Sequence, residues 1–162
     1  MAIRVPSKQE GVIKLALNDS GWLTEPAIAA GQLRQGKAPS MAAMVLGYGL
    51  IEILRPKRSK LLPRHFVLAV TASEVIAFKA TGGSGESDST YYLNIKEGVE
   101  ARFPRDAVSI ADIPEGEKSK GGIMTINGES FPVARPNLNG EANTDELIAV
   151  LAAGNGNATV AA

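Results

Sequence analysis

Cysteine is absent from this sequence. That excludes a disulfide framework, a thiolate nucleophile and any zinc site built on sulfur, and leaves apolar burial and hydrogen bonding to hold the fold. Histidine is nearly absent as well. His65 stands alone, so a multi-histidine metal site is excluded, as is a catalytic triad with its base anywhere else. An excess of charge of either sign is also missing: 17 basic side chains balance 17 acidic ones for a formal net charge of +0. No global field pulls such a chain toward nucleic acid or a membrane, and any such attraction has to be local. Long apolar runs are lacking too. The longest, Met41 to Leu54, is broken by Gly47, Tyr48, Gly49 and Glu52 and falls short of the ~20 residues a membrane span requires. The segment from Met1 to Glu10 mixes Arg4, Pro6, Lys8 and Glu10 and has no apolar core of a secretory signal. These absences point to a soluble cytoplasmic protein, in which the Asn-x-Ser/Thr triplets at Asn18 and Asn157 are incidental.

What is present begins with a helical pattern. At 162 residues the chain suits one domain with an appendage. Ser7, followed three residues later by Glu10, forms a capping box ahead of Val12, Ile13, Leu15 and Leu17. After a turn at Asn18 to Gly21, the segment Thr24 to Arg34 reads as a second short helix, with Pro26 in its first turn and Gly36 beyond its end. Ser40 caps a third, which runs to Leu54 and stops before Pro56.

From Arg64 the apolar period shifts from about 3.6 to 2. Strands are expected at 65–71 and 74–79, reversing at Ala72 and Ser73, then, past a Gly/Ser-rich mobile loop from Thr81 to Ser89, at 90–96 and 99–103, joined by a turn at Gly98. A further strand at 107–113 ends at Pro114. Residues 122–126 and 129–134 flank Asn127-Gly128, the dipeptide best suited to a type I′ hairpin. Asn143 or Thr144 then caps a helix whose buried face is Leu147, Ile148, Val150 and Leu151, ending at Gly154 before a small polar tail.

Seven strands followed by one C-terminal helix is the element order of the pleckstrin-homology-like (PH-like) fold. The local text resembles bacterial members of that superfold at Leu68-Ala69-Val70-Thr71, Val75-Ile76-Ala77-Phe78, Phe103-Pro104-Arg105-Asp106-Ala107-Val108 and Asp145-Glu146-Leu147. The resemblance covers roughly residues 61 to 153 and implies a curled antiparallel sheet or barrel plugged by the helix. It carries no ligand-binding residue across, because Ala72-Ser73-Glu74 replaces the Asn/Asp and Arg that such sequences have at the first turn. The expected organisation is therefore an α+β chain with a helical region and basic linker at 1–60, a PH-like domain at 61–154 and a flexible tail at 155–162.

The residues with chemical potential have ordinary explanations beside functional ones. His65 opens a strand beside Arg64 and reads as a strand-edge residue before it reads as a base or pH sensor. Gly82-Gly83-Ser84-Gly85 lacks the Gly-Lys-Ser/Thr of a phosphate cradle and is followed by Glu86 and Asp88, which repel phosphate. Asp106, Asp112, Glu115 and Glu117 lack the spacing of a calcium loop and read as solvated turn residues. Trp22 reads as a packing anchor. The sharpest local anomaly is Arg55, Lys57, Arg58, Lys60 and Arg64, a run of positive charge in a neutral chain. It reads either as a solvated linker or as a site for an anionic ligand such as lipid head groups. With no interleaved aromatics, nucleic acid is not expected. The chain accordingly reads as a noncatalytic module without cofactor or metal that binds a protein or peptide, or self-associates, along a strand edge or through 41–54. The alternative is peripheral attachment to an anionic membrane through the basic linker. An enzyme is the remaining option, and no nucleophile motif supports it.

Overall fold

The computed structural model describes residues 2–6, 11–36, 59–82, 92–111, 121–134, 144 and 146–152. Strand β3 (His65–Val70) is apolar at every position after its first, and Phe66, Val67, Leu68, Ala69 and Val70 are all fully buried. A strand with that pattern is covered on both faces. Phe66, Leu68 and Val70 enter one core and Val67 and Ala69 a second, so the sheet around β3 has an apolar layer on each side.

In chain order the elements are β1 (Ala2–Pro6), α1 (Val12–Ser20), β2 (Ala29–Gln35), β3, β4 (Glu74–Gly82), β5 (Tyr92–Pro104), a 3-10 turn at Arg105–Ala107, β6 (Val108–Ala111), β7 (Gly121–Ile126), β8 (Glu129–Ala134) and a C-terminal helix, α2, at 146–152. The strands form one open antiparallel sheet in the order β1-β5-β4-β3-β2-β8-β7-β6. This is an α+β architecture.

Strand β2 joins the two halves of the sheet. Among the described residues it pairs with β3 from Ala29 to Arg34 and with β8 at Arg34↔Ala134 and Gln35↔Val133. Just ahead of α2, Thr144 Oγ1 donates to the Gln32 carbonyl at 3.1 Å in a buried bond. From there Leu147, Ile148 and Leu151 pack into the core that holds Phe66, Leu68, Met124 and Phe131, with Val150 partly buried against it. On the other face α1 buries Ile13 and Leu17 against Val67, Ile76, Phe78, Leu93 and Ile95, and Trp22 stacks at 5.7 Å on Phe78. Lys14 of α1 and Glu146 of α2 form an ion pair at 2.9 Å.

Several expectations change. The segment expected as a second helix from Thr24 to Arg34 holds all of strand β2 but its last residue, Gln35. Its alanines and Gly31 have no strong period, and small residues suit a strand pressed between two layers, so pairing with β3 decides its state. The first helix starts at Val12 after Gly11 in the left-handed region (φ 73) with no side-chain cap, and the Ser7 cap lies outside the described residues. The two strands expected around a Gly98 turn are one 13-residue strand, β5. Gly98 (φ 107) serves an irregularity within it, where the pairing steps from Phe78↔Val99 to Ala80↔Ile95. Glycine allows that conformation, and β4 is long enough to pair with both halves. Thus, among the described residues, six strands rather than the expected seven follow residue 61, and β1 and β2 complete eight. The expected helix at 40–54, most of the Gly/Ser-rich loop and the tail lie outside the described residues.

The β7–β8 hairpin is as expected. Asn127 and Gly128 both have positive φ (51 and 85), and Ile126 pairs with Glu129 across them, the type I′ geometry whose twist suits flanking strands.

The helix α2 is thus the wedge that closes the main core. Leu147, fully buried, tests it directly: Leu147→Ala is expected to cost about 2–5 kcal/mol in urea unfolding. Truncation before Asn143 is expected to yield an insoluble or molten product, since the lost burial is a large share of a domain's marginal stability.

Candidate functional site

The basic residues that stand out in the sequence converge, where they are described, at the end of β2 and the start of β3. The antiparallel register sets Arg34 opposite His65. The backbone N–H of Gln35 donates to the Arg64 carbonyl at 2.8 Å, which fixes Arg64 beside them.

A buried amide holds the incoming chain in place. Gln35 Nε2 donates to the carbonyls of Ser59 and Leu62 at 2.9 Å each and of Pro63 at 3.3 Å, and its Oε1 accepts from the Ser59 N–H at 2.7 Å. Backbone groups of a buried loop need partners, and here one side chain supplies several. The segment 59–63 is thereby pinned to β2, with Lys60 exposed upon it and Arg64, also exposed, at its end.

Burial and neighbouring charge act on two groups at this corner. Burial, then the charges of Arg64 and Arg34, push the His65 imidazole below its ordinary value. Burial, then Arg64, likewise lower the half-buried Arg34 guanidinium, though an arginine stays cationic at neutral pH. Arg34, Arg64 and His65 are thus near enough for their charges to act on one another. Among the five residues singled out in sequence, the structure brings Lys60 and Arg64 to this corner, and Arg55, Lys57 and Arg58 lie outside the described residues. Arg34 was missed because its segment reads as helix. No local signal reveals it, since its neighbour is 31 positions away in the register.

A second polar cluster sits at the other end of β3. Glu25 Oε1 accepts hydrogen bonds from Thr71 Oγ1 at 2.9 Å and from Ser73 Oγ. Thr71 Oγ1, whose one proton goes to Glu25, accepts in turn from the Glu74 N–H at 3.1 Å. The bond from Ser73, then that from Thr71, hold the Glu25 carboxyl below its ordinary value. This is a clamp on the β3–β4 turn. A serine beside a carboxylate needs a base to become a nucleophile, and His65 stands at the opposite end of β3, roughly 20 Å away at about 3.3 Å per residue. The other candidate acids do not gather: Asp106 is exposed on the 3-10 turn, and Asp112, Glu115 and Glu117 lie outside the described residues. Among the described residues no group of three His, Asp or Glu side chains is arranged to hold a metal ion, and no helix is long and apolar enough to cross a membrane.

Two of the lowered groups, His65 and Glu25, make the fold sensitive to acid. His65 resists protonation when folded, so as pH falls below its ordinary value of 6.5 the unfolded chain takes up the proton first and stability declines, levelling off below the lowered folded value. The contribution of Glu25 is complete above its ordinary value of 4.5 and is lost as pH falls through its lowered folded value. Urea unfolding across a pH series is expected to show two declining steps. His65→Gln should flatten the upper and Glu25→Gln the lower. No family model matches this chain, and neither the curated proteins nor the solved structures contain a match.

Proposed function

We propose that the chain is a noncatalytic binding module on a PH-like scaffold, and that it attaches to anionic lipid surfaces through the basic corner. The observation that carries this reading is the placement of Arg34 opposite His65 with Arg64 beside them, in a chain of no net charge. The PH-like reading is supported by the strand path: β2 to β5 are consecutive neighbours, β6 to β8 are consecutive neighbours, and a helix follows. In sequence, Arg55, Lys57 and Arg58 immediately precede the pinned segment 59–63.

Each basic residue near an anionic surface is worth about 1 kcal/mol, so three supply about 3 kcal/mol, a little over a hundredfold in affinity. Binding of this kind is screened by salt. Sedimentation with phosphatidylglycerol vesicles at low salt is expected to recover the protein, and phosphatidylcholine vesicles are not. The triple change Lys57→Gln, Arg58→Gln, Lys60→Gln should abolish recovery and leave the unfolding temperature unchanged. Failure of the wild type to sediment removes the membrane reading.

One observation favours a protein partner instead. Among the described residues, β6 (Val108–Ala111) ends the sheet and pairs on one side only, with β7. An open edge of this kind accepts an extended segment by adding a strand. A partner bound in that way is expected to protect amides of Val108–Ala111 from hydrogen exchange. Protection elsewhere would set the edge reading aside.

A further inference from the structure

We propose that Asn127-Gly128 is a self-modification site, at which the hairpin turn directs the backbone nitrogen of Gly128 onto the Asn127 side chain, so that the folded protein converts this asparagine to aspartate and isoaspartate with water as co-reactant. This inference stands apart from the binding readings above.

The turn already holds part of the reacting geometry. Asn127 has φ 51 and Gly128 φ 85, the type I′ pair, and both are exposed at the tip of the β7–β8 hairpin. A five-membered ring through Asn127 Cα, Cβ and Cγ closes on the Gly128 nitrogen when that nitrogen eclipses Cβ about the Cα–C bond, which for an L residue puts ψ at about −120°, the value at the first central residue of a type II′ turn. Types I′ and II′ share a φ of about +60° at that residue, differ by a flip of the central peptide, and both connect paired strands through two residues. The flip reverses the sign of φ at the second residue, which glycine accepts readily. Asn127 therefore reaches the ring geometry by one local rotation while Ile126 stays paired with Glu129. Its own N–H donates to the Ala107 carbonyl at 3.0 Å, which anchors the residue while the peptide beyond it turns. Among the described residues Asn127 is the one non-glycine residue with positive φ, so no other described asparagine is preset in this way, and holding reacting atoms near their attack geometry is what lowers such a barrier.

The step balances with water alone. A solvent base removes the Gly128 amide proton, the nitrogen forms a bond to Asn127 Cγ, and the carboxamide C–N bond breaks, its nitrogen leaving as ammonia with a proton from solvent. Water then opens the succinimide. Attack at Cγ breaks the new bond and leaves aspartate in a normal backbone. Attack at the main-chain carbonyl breaks the original peptide bond and leaves isoaspartate, whose chain runs through Cβ and Cγ. That product adds an atom to the backbone of a two-residue loop, so the turn loses its fit, and with it the bond to Ala107 and the pairing of Val108 with Ile126 at the head of β6.

Peptide mapping by mass spectrometry of the full-length protein, aged native and in urea at mildly alkaline pH, separates Asn127 from Asn139 and Asn155, which also precede glycines and lie outside the described residues. Asn127 is expected to convert at least as fast in the native protein as in the unfolded chain, and faster as pH rises, because the attacking amide must lose its proton. Inserting one glycine after Gly128 keeps the reacting dipeptide but lengthens the loop, and is expected to slow native conversion. Slower conversion of Asn127 in the native protein than in urea, or a native rate unchanged by the insertion, overturns the inference. Hydrogen exchange reads the consequence. Ageing is expected to speed exchange around Val108 and Ile126 in the wild type and not in Asn127→Gly, which keeps a dipeptide suited to the turn and cannot form the ring. Equal exchange in the two aged proteins, with Asn127 converted in the wild type, overturns the effect on β6.

Discussion

The junction of β2 with β8 is the constraint on which the rest of this structure depends. Strand β2 pairs with β3 along Ala29–Arg34 and meets β8 at Arg34↔Ala134 and Gln35↔Val133, so it joins the two runs of consecutive strands into one sheet. Just ahead of α2, Thr144 Oγ1 donates to the Gln32 carbonyl in a buried bond, which ties the helix to β2 beside the core that Leu147, Ile148 and Leu151 enter. A buried hydrogen-bonding group left unpaired costs about 1–3 kcal/mol, so this contact helps fix where the helix sits.

The same junction organises the second face. β2, β3 and β4 are sandwiched between α1 and the core that contains α2, which is why their sequences lack clean alternation: Ala29 and Ala30, or Leu68 and Ala69, are equally buried although they point in opposite directions. The small residues fall where space between layers is short. β5 changes sides along its length, with Leu93 and Ile95 in the α1 core and Phe103 in the α2 core. Gly98 lies between the two halves, at a φ that other residues adopt only with strain.

The basic corner is a product of this arrangement. Gln35 has its backbone in the junction and its side chain on the carbonyls of Ser59, Leu62 and Pro63, so one residue both joins the sheet halves and returns the chain to β3. Arg34 and Arg64 are brought together because they flank that tie.

The sequence by itself determined the features that local chemistry controls. Asn127-Gly128 dictates its hairpin because both residues tolerate positive φ, and Leu147, Ile148 and Leu151 announce a buried helix face through their spacing. The strands β3, β4 and β8 were legible from their β-branched and aromatic content. Part of the basic site was legible too, since Lys60 and Arg64 stand out in a run of charge. Tertiary structure alone decided the rest. Residues 29–35 combine small residues with polar ones and have no firm preference, so their strand exists only because β3 offers a ladder and two layers cover them. Gly98 became a mid-strand irregularity instead of a turn because β4 extends past it. Arg34 joined the basic corner because antiparallel pairing set it opposite His65. Pairing across long sequence separations is set by cooperative burial, which no local window of sequence contains.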